Sequence, residues 1–230
     1  MRNLFAVVSI TFAAVVAGPA VAADLPQYPP MTPPPVDNGL GGSFYLRASV
    51  GGNAFWSYNH VFANAPGSDT PTAAGYGYSF GAGFGYEAGN GLRADVTVDQ
   101  IDNNGLTDGI DTLHLRSTLA MANAYYDFNF SGTPGPGPGF GAYVGAGIGG
   151  GYYQLQAPGT APQPDGSGWT AAAAAMAGVT YDMGSMVADL GYRMIYMPQL
   201  SNNQTFPNTS YYLNDNLVHE LRASLRYRLN

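Results

Sequence analysis

The chain has 230 residues, of which only 10% are charged, with a net charge of −7; an ordinary soluble domain carries about 25% charged residues. Every basic residue is arginine and there is no cysteine, which excludes a disulfide framework and thiol chemistry, while the acidic balance argues against nucleic acid as a partner. Length suits one barrel-sized domain, and near-neutral hydropathy excludes a bundle of membrane helices.

Residues 1–23 open with Arg2, continue through an apolar stretch from Leu4 to Ala17 and close on small residues at Ala22 and Ala23. This is the pattern of a cleaved secretory signal peptide; the apolar core is shorter than the roughly 20 residues a membrane helix needs. Residues 24–42, with "DLPQYPPMTPPPVDNG", are proline-rich and expected to form an extended periplasmic linker. The remainder, 43–230, is expected to be one all-β domain.

From Ser43 onward apolar residues recur with period 2, the signature of strands. "SFYLRASVG" sets Phe44, Leu46, Ala48 and Val50 against Tyr45, Arg47, Ser49 and Gly51. "YGYSFGAGFGYE", "LRADVTVD" and "FGAYVGAGIGGGYY" repeat the alternation, and similar strands are expected near 169–182, 186–197 and 217–229. A strand over 113–128 brings the number to eight. Its phase is ambiguous: Ala122, Ala124, Tyr126 and Phe128 lie on one parity, but Leu113 and Leu115 on the other. Either a bulge between Ser117 and Met121 shifts the phase, or the upper part stands clear of a membrane. Long polar connections are expected near 53–75, 102–112, 155–167 and 198–216, alternating with short ones near 88–91 and 183–185 and a medium one in "SGTPGPGPG". Long loops at one end and short turns at the other predict an eight-stranded antiparallel up-and-down barrel that spans an outer membrane.

The aromatic residues sort by height on that barrel. Phe44, Tyr86, Tyr126, Phe128, Phe140, Tyr181 and Tyr227 fall on the apolar parity near the short turns; Tyr76, Tyr78, Tyr152, Trp169 and Tyr196 fall on it near the long loops. Two bands of amphipathic rings are what two lipid–water interfaces select. The opposite, inward parity carries the charges: Arg47, Arg93, Asp95, Asp99, Asp189, Arg193, Glu220, Arg222 and Arg226, with Glu87, Asp127, Asp182 and Arg228. An arginine facing mid-bilayer lipid costs about 2–4 kcal/mol, whereas inside the barrel its planar fork can pair with carboxylates. An interior charge network that plugs the lumen is therefore expected, with inner-face glycines leaving room for it. The phase of Arg116 is unclear.

The segments "MANAYYDF", "AGVTYDMG", "ADLGYRMIY" and "HELRASLRYRLN", with the "AADLP" start and the linker, resemble the alphaproteobacterial small outer-membrane β-barrel family, the opacity-like surface antigens. The resemblance implies insertion by the barrel-assembly machinery. It also implies roles as envelope-stabilising proteins, surface antigens or porin-like proteins.

Sites for chemistry are thin. His60 has no nearby Ser of the kind ester hydrolysis needs, His114 has Asp111 and Ser117 close in sequence but on a strand of ambiguous phase, and His219 and its neighbour Glu220 face opposite ways on a strand. Asp102, Asp108 and Asp111 offer oxygen ligands without the spacing of a calcium loop. "GAGFG" and "GAGIGGG" lie inside strands with no helix to follow, so the phosphate-loop reading fails. No catalytic, cofactor or metal residue is expected. The role expected is non-enzymatic: envelope integrity and surface exposure in the outer membrane. The partners are outer-membrane lipid, lipopolysaccharide and external ligands of the long loops. A narrow porin is the alternative and a lipid-modifying enzyme the third reading.

Overall fold

The computed structural model describes residues 42–62, 68–69, 73–107, 112–130, 138–157, 163–202 and 211–229. The signal segment and all of the linker but Gly42 lie outside the described residues. Among the described residues nine strands follow in order: β1 Ser43–Phe62, β2 Ser68–Asp69, β3 Gly75–Glu87, β4 Leu92–Thr107, β5 Thr112–Asn129, β6 Gly139–Ala157, β7 Gln163–Asp182, β8 Met186–Ser201 and β9 Tyr211–Arg228. All but β2 pair with both neighbours, and the β1–β9 pairing closes an eight-stranded antiparallel barrel. Strand β2 is a two-residue partner of the far end of β1.

The register fixes the shape. A walk perpendicular to the strands leaves β1 at Phe44 and passes Tyr86, Ala94, Ala124, Ala146, Ala175, Met194 and His219. It returns to β1 at Ala54, so the stagger, from residue 44 to residue 54, is ten residues. With eight strands this tilts each by about 40° and leaves an interior that side chains can fill.

Strand β5 settles the ambiguous phase. Its alternation is unbroken from Leu113 to Phe128, with odd residues inward, and no bulge falls between Ser117 and Met121. Leu113, Leu115, Leu119 and Met121 are buried inside the barrel. The parity of apolar residues changes along this strand because the interior itself changes from polar to apolar. The irregularity lies across the ladder, in β4 between Asn104 and Leu106, where Gly105 has φ +90°, a conformation that only glycine adopts without strain. A second break in parity occurs at Pro198 on β8 and Asp215 on β9: Met197 and Leu200, and likewise Leu213 and Asn216, are all buried. Asp215 has φ 53°.

The long connections are shorter than the sequence suggests. Strands run on through 53–62, 102–107, 155–157, 163–167, 198–201 and 211–216, all expected as loop. Apart from 53–58, where Ala54, Trp56 and Tyr58 face outward, these stretches carry polar residues on the outer face, and alternation with a polar exterior reads as loop when lipid contact is the criterion. Backbone pairing needs no lipid, so the ladder continues.

Outward residues along the middle of the barrel are apolar and exposed: Leu46, Val50, Phe84, Val96, Val98, Val144, Ile148, Val179, Leu190, Leu221 and Leu225. Rings bound this belt. Phe140 and Tyr152 are twelve residues apart on β6, and Trp169 and Tyr181 twelve apart on β7. At about 3.3 Å per residue and that tilt, each pair spans roughly 30 Å along the axis, close to the hydrocarbon thickness of a bilayer.

Candidate functional site

Among the described residues, charge concentrates in the barrel interior. The end with short turns holds three connected sets of ion pairs. Lowest, Arg228 forks onto Asp182, with Nη1 donating to Oδ1 at 3.0 Å and Nη2 to Oδ2 at 2.7 Å, and its Nε donates to Glu87 Oε2 at 2.8 Å. Glu87 also accepts from Arg226, which forks onto Asp189 at 3.0 and 2.9 Å. The second set centres on Asp95. It accepts from Arg47 Nη1 at 3.1 Å, Tyr45 Oη at 2.8 Å and Asn123 Nδ2 at 2.8 Å. Arg93 binds Asp127 through Nε and Nη2 at 2.8 and 3.0 Å, and its guanidinium lies 3.8 Å from the centroid of the Tyr125 ring. The third set lies higher. Arg193 bridges Glu220, at 2.7 Å, and Asp99, at 2.8 Å; Arg222 reaches the other oxygen of Asp99 at 2.7 Å; Ser79 donates to Glu220 at 2.7 Å.

Every residue of the sequence-level charge list thus lies on the inner face and within one of these sets. Six arginines meet seven carboxylates: Arg47, Arg93, Arg193, Arg222, Arg226 and Arg228 against Glu87, Asp95, Asp99, Asp127, Asp182, Asp189 and Glu220. The Arg193 side chain is 2% exposed. Such charges are tolerated only because their partners replace water. The strand pairing explains the selection: β9 lies between β1 and β8, so its arginines meet Asp189 on the adjacent β8 and reach beyond their neighbours to Glu87 on β3, Asp99 on β4 and Asp182 on β7. Glycine makes the room. A Cβ on Gly51 would stand 2.7 Å from Glu220 Oε1, and one on Gly178 2.7 Å from Cε1 of Tyr143.

Tyr125 and Asn123 were not singled out from sequence, although both stand on the inward parity of β5. The signal was a tyrosine on the polar face beside a run of small apolar residues. The larger omission lies above the charges. Phe55, Ile101, Leu106, Leu113, Leu115, Leu119, Tyr153, Leu155, Ile195, Met197, Leu200, Leu213 and Val218 are buried together in a continuous apolar core. It fills the barrel at the long-loop end. No charge marks it, and its residues fall on the parity assigned to polar groups.

All twelve ring residues of the two expected girdles point outward, Trp169 most of all at 80% exposed. Phe44 stacks on Phe84 with centroids 5.5 Å apart, Tyr126 meets Phe128 at 4.9 Å, Phe140 meets Tyr181 at 4.8 Å and Tyr152 meets Trp169 at 5.7 Å. Arg116, whose phase the sequence left open, faces outward and pairs with Asp102 at 2.9 Å.

The histidines are dispersed. His219 shares a hydrogen bond with the Tyr192 hydroxyl on the outer face, His114 lies on the outer face beside Arg116, and the side chain of His60 lies outside the described residues. Asp108 and Asp111 lie outside them too.

No protein-family model matches the chain, and no curated protein does. Among solved structures, Neisserial surface protein A (NspA) is 22% identical, with 82% of this chain and 99% of that one covered and a TM-score of 0.51. The outer membrane protein OprG from Pseudomonas aeruginosa is 13% identical, covering 82% of this chain and 98% of that one, at 0.46. Ail, the attachment invasion locus protein of Yersinia pestis, is 14% identical, covering 81% and 99%, at 0.43. The first of these likenesses shows the shared eight-stranded barrel fold.

Proposed function

We propose that the protein is a non-enzymatic barrel of the outer membrane that braces the envelope and presents its long-loop end to the exterior, with a lumen closed to ions. The observation that carries this reading is the pairing of a lipid-suited exterior with an occupied interior. The apolar belt between two bands of rings has the height of a bilayer. Inside, ion pairs occupy the lower lumen, and buried apolar side chains pack the upper one around a few polar residues, Asn53, Asn103 and Asn216 among them. A narrow porin would need a continuous wet path, so the occupied lumen favours the structural role. The resemblance to alphaproteobacterial opacity-like antigens supports a surface-exposed role of the same kind, with export through a signal peptide and insertion by the barrel-assembly machinery.

Two measurements test it. The refolded protein should migrate faster on a gel unheated than boiled, because a closed sheet satisfies every strand hydrogen bond internally. In planar bilayers it should carry no steady current. Equal mobility with and without heating would overturn the barrel in lipid; a large steady conductance would promote the porin.

A further inference from the structure

Above the apolar belt, strands β4, β5 and β6 present six outward polar side chains in two ladder rows. Asp102, Arg116 and Gln154 form one row; Asn104, His114 and Gln156 form the next. They line a shallow pocket of about 70 Å³. One row lower, Thr118 donates to Gln100 at 2.6 Å, and below that Val98, Ala120 and Gly150 return to the apolar belt. Rings frame the patch: Tyr76 and Tyr78 on β3 pair with Asn104 and Asp102, and Tyr152 and Trp169 flank it on β6 and β7. The patch therefore stands at the level of the upper ring band, where headgroups meet water.

Arg116 is the exception among the arginines of the described residues. The other six face inward, whereas its side chain is 65% exposed on the outer face. Its pair with Asp102 does not account for it, since an exposed ion pair contributes about 0–1 kcal/mol. A guanidinium at this height, with the Asp102 carboxylate and Asn104 on one side, Gln154 and Gln156 on the other and aromatic faces at the edges, matches a phosphorylated, acylated sugar: the phosphate on the guanidinium in exchange for Asp102, hydroxyls on Asn104, Gln154 and Gln156, and acyl chains along Val98 and Ala120. We propose that this patch binds the phosphorylated sugar headgroup of lipopolysaccharide in the outer leaflet, with Arg116 as the phosphate ligand. The proposal rests on the membrane reading above, because it needs the long-loop end to lie in that leaflet.

The test uses the full chain, refolded in detergent, in a Trp56→Phe background that leaves Trp169 as the single tryptophan. Lipid A, the same lipid stripped of phosphate, and phosphatidylglycerol are each titrated while Trp169 emission is followed. Lipid A should shift the emission. Arg116→Gln should raise its half-saturating concentration about tenfold, the change for losing one charge-assisted hydrogen bond. Dephosphorylated lipid should bind as weakly to the unsubstituted chain as lipid A does to Arg116→Gln, and Arg116→Lys should recover part of the affinity. Identical titrations for Arg116 and Arg116→Gln, or an equal response to phosphatidylglycerol, overturn the site. A gel shift on heating, run for each variant, keeps this outcome separate: its absence in the unsubstituted chain defeats the membrane reading instead.

Discussion

The two halves of the barrel interior solve the same packing problem with opposite chemistry. Near the short turns the lumen is filled by arginines and carboxylates, bonded in sets around Asp95, Asp99 and Glu87. Near the long loops it is packed mostly by leucine, isoleucine, methionine and phenylalanine, with Asn53, Asn103 and Asn216 buried among them. Ion pairs fix geometry through directional forks, but each depends on its partner remaining in place. The apolar half depends on volume and tolerates small rearrangements. The lower half therefore resembles a set of braces and the upper half an ordinary protein core inside a sheet that outruns the belt.

Substitutions that separate the halves test this contrast by urea unfolding of the refolded barrel in lipid vesicles. The largest effect is expected from Arg193→Ala. It leaves Glu220 with Ser79 as its described partner and removes one of the two arginines on Asp99, so a loss of about 3–5 kcal/mol is expected for a broken buried pair. A midpoint unchanged from the parent would mean that water already reaches these charges. In the upper half, Leu115→Ala empties a buried site and should cost about 2–5 kcal/mol. Its cross-strand partners are Asn103 and Leu155, so unlike Arg193→Ala it leaves no carboxylate without its arginine and its cost should not depend on pH; a matching pH dependence would abolish the distinction between the halves.

Arg222→Ala should be milder, about 1–3 kcal/mol, because Asp99 keeps Arg193. A loss equal to that of Arg193→Ala would show that the two arginines act as one unit. Conductance sharpens the contrast further. Neither Arg193→Ala nor Leu115→Ala alone should open a current, because the other half still closes the lumen; current from either single variant would assign closure to that half. The smallest effect is expected at Arg116→Ala, about 0–1 kcal/mol, since its charge is solvated.

The sequence by itself determined the strands, their number and which parity faces inward, because lipid outside and a narrow lumen inside impose opposite demands on alternate residues. Arg47, Asp95, Arg193 and Glu220 could be assigned to the interior from that parity, and Trp169 and Tyr152 to the exterior. Which charge meets which could not be read, since Arg222 and Asp99 are 123 residues apart and approach only once the ten-residue stagger is set. Parity also failed where its premise did. On β5 Leu113 and Leu115 turn inward above the charges, and strands persist through residues expected as loops. The tertiary structure decided both, because above the belt the exterior meets water and the apolar side chains have only the lumen in which to pack.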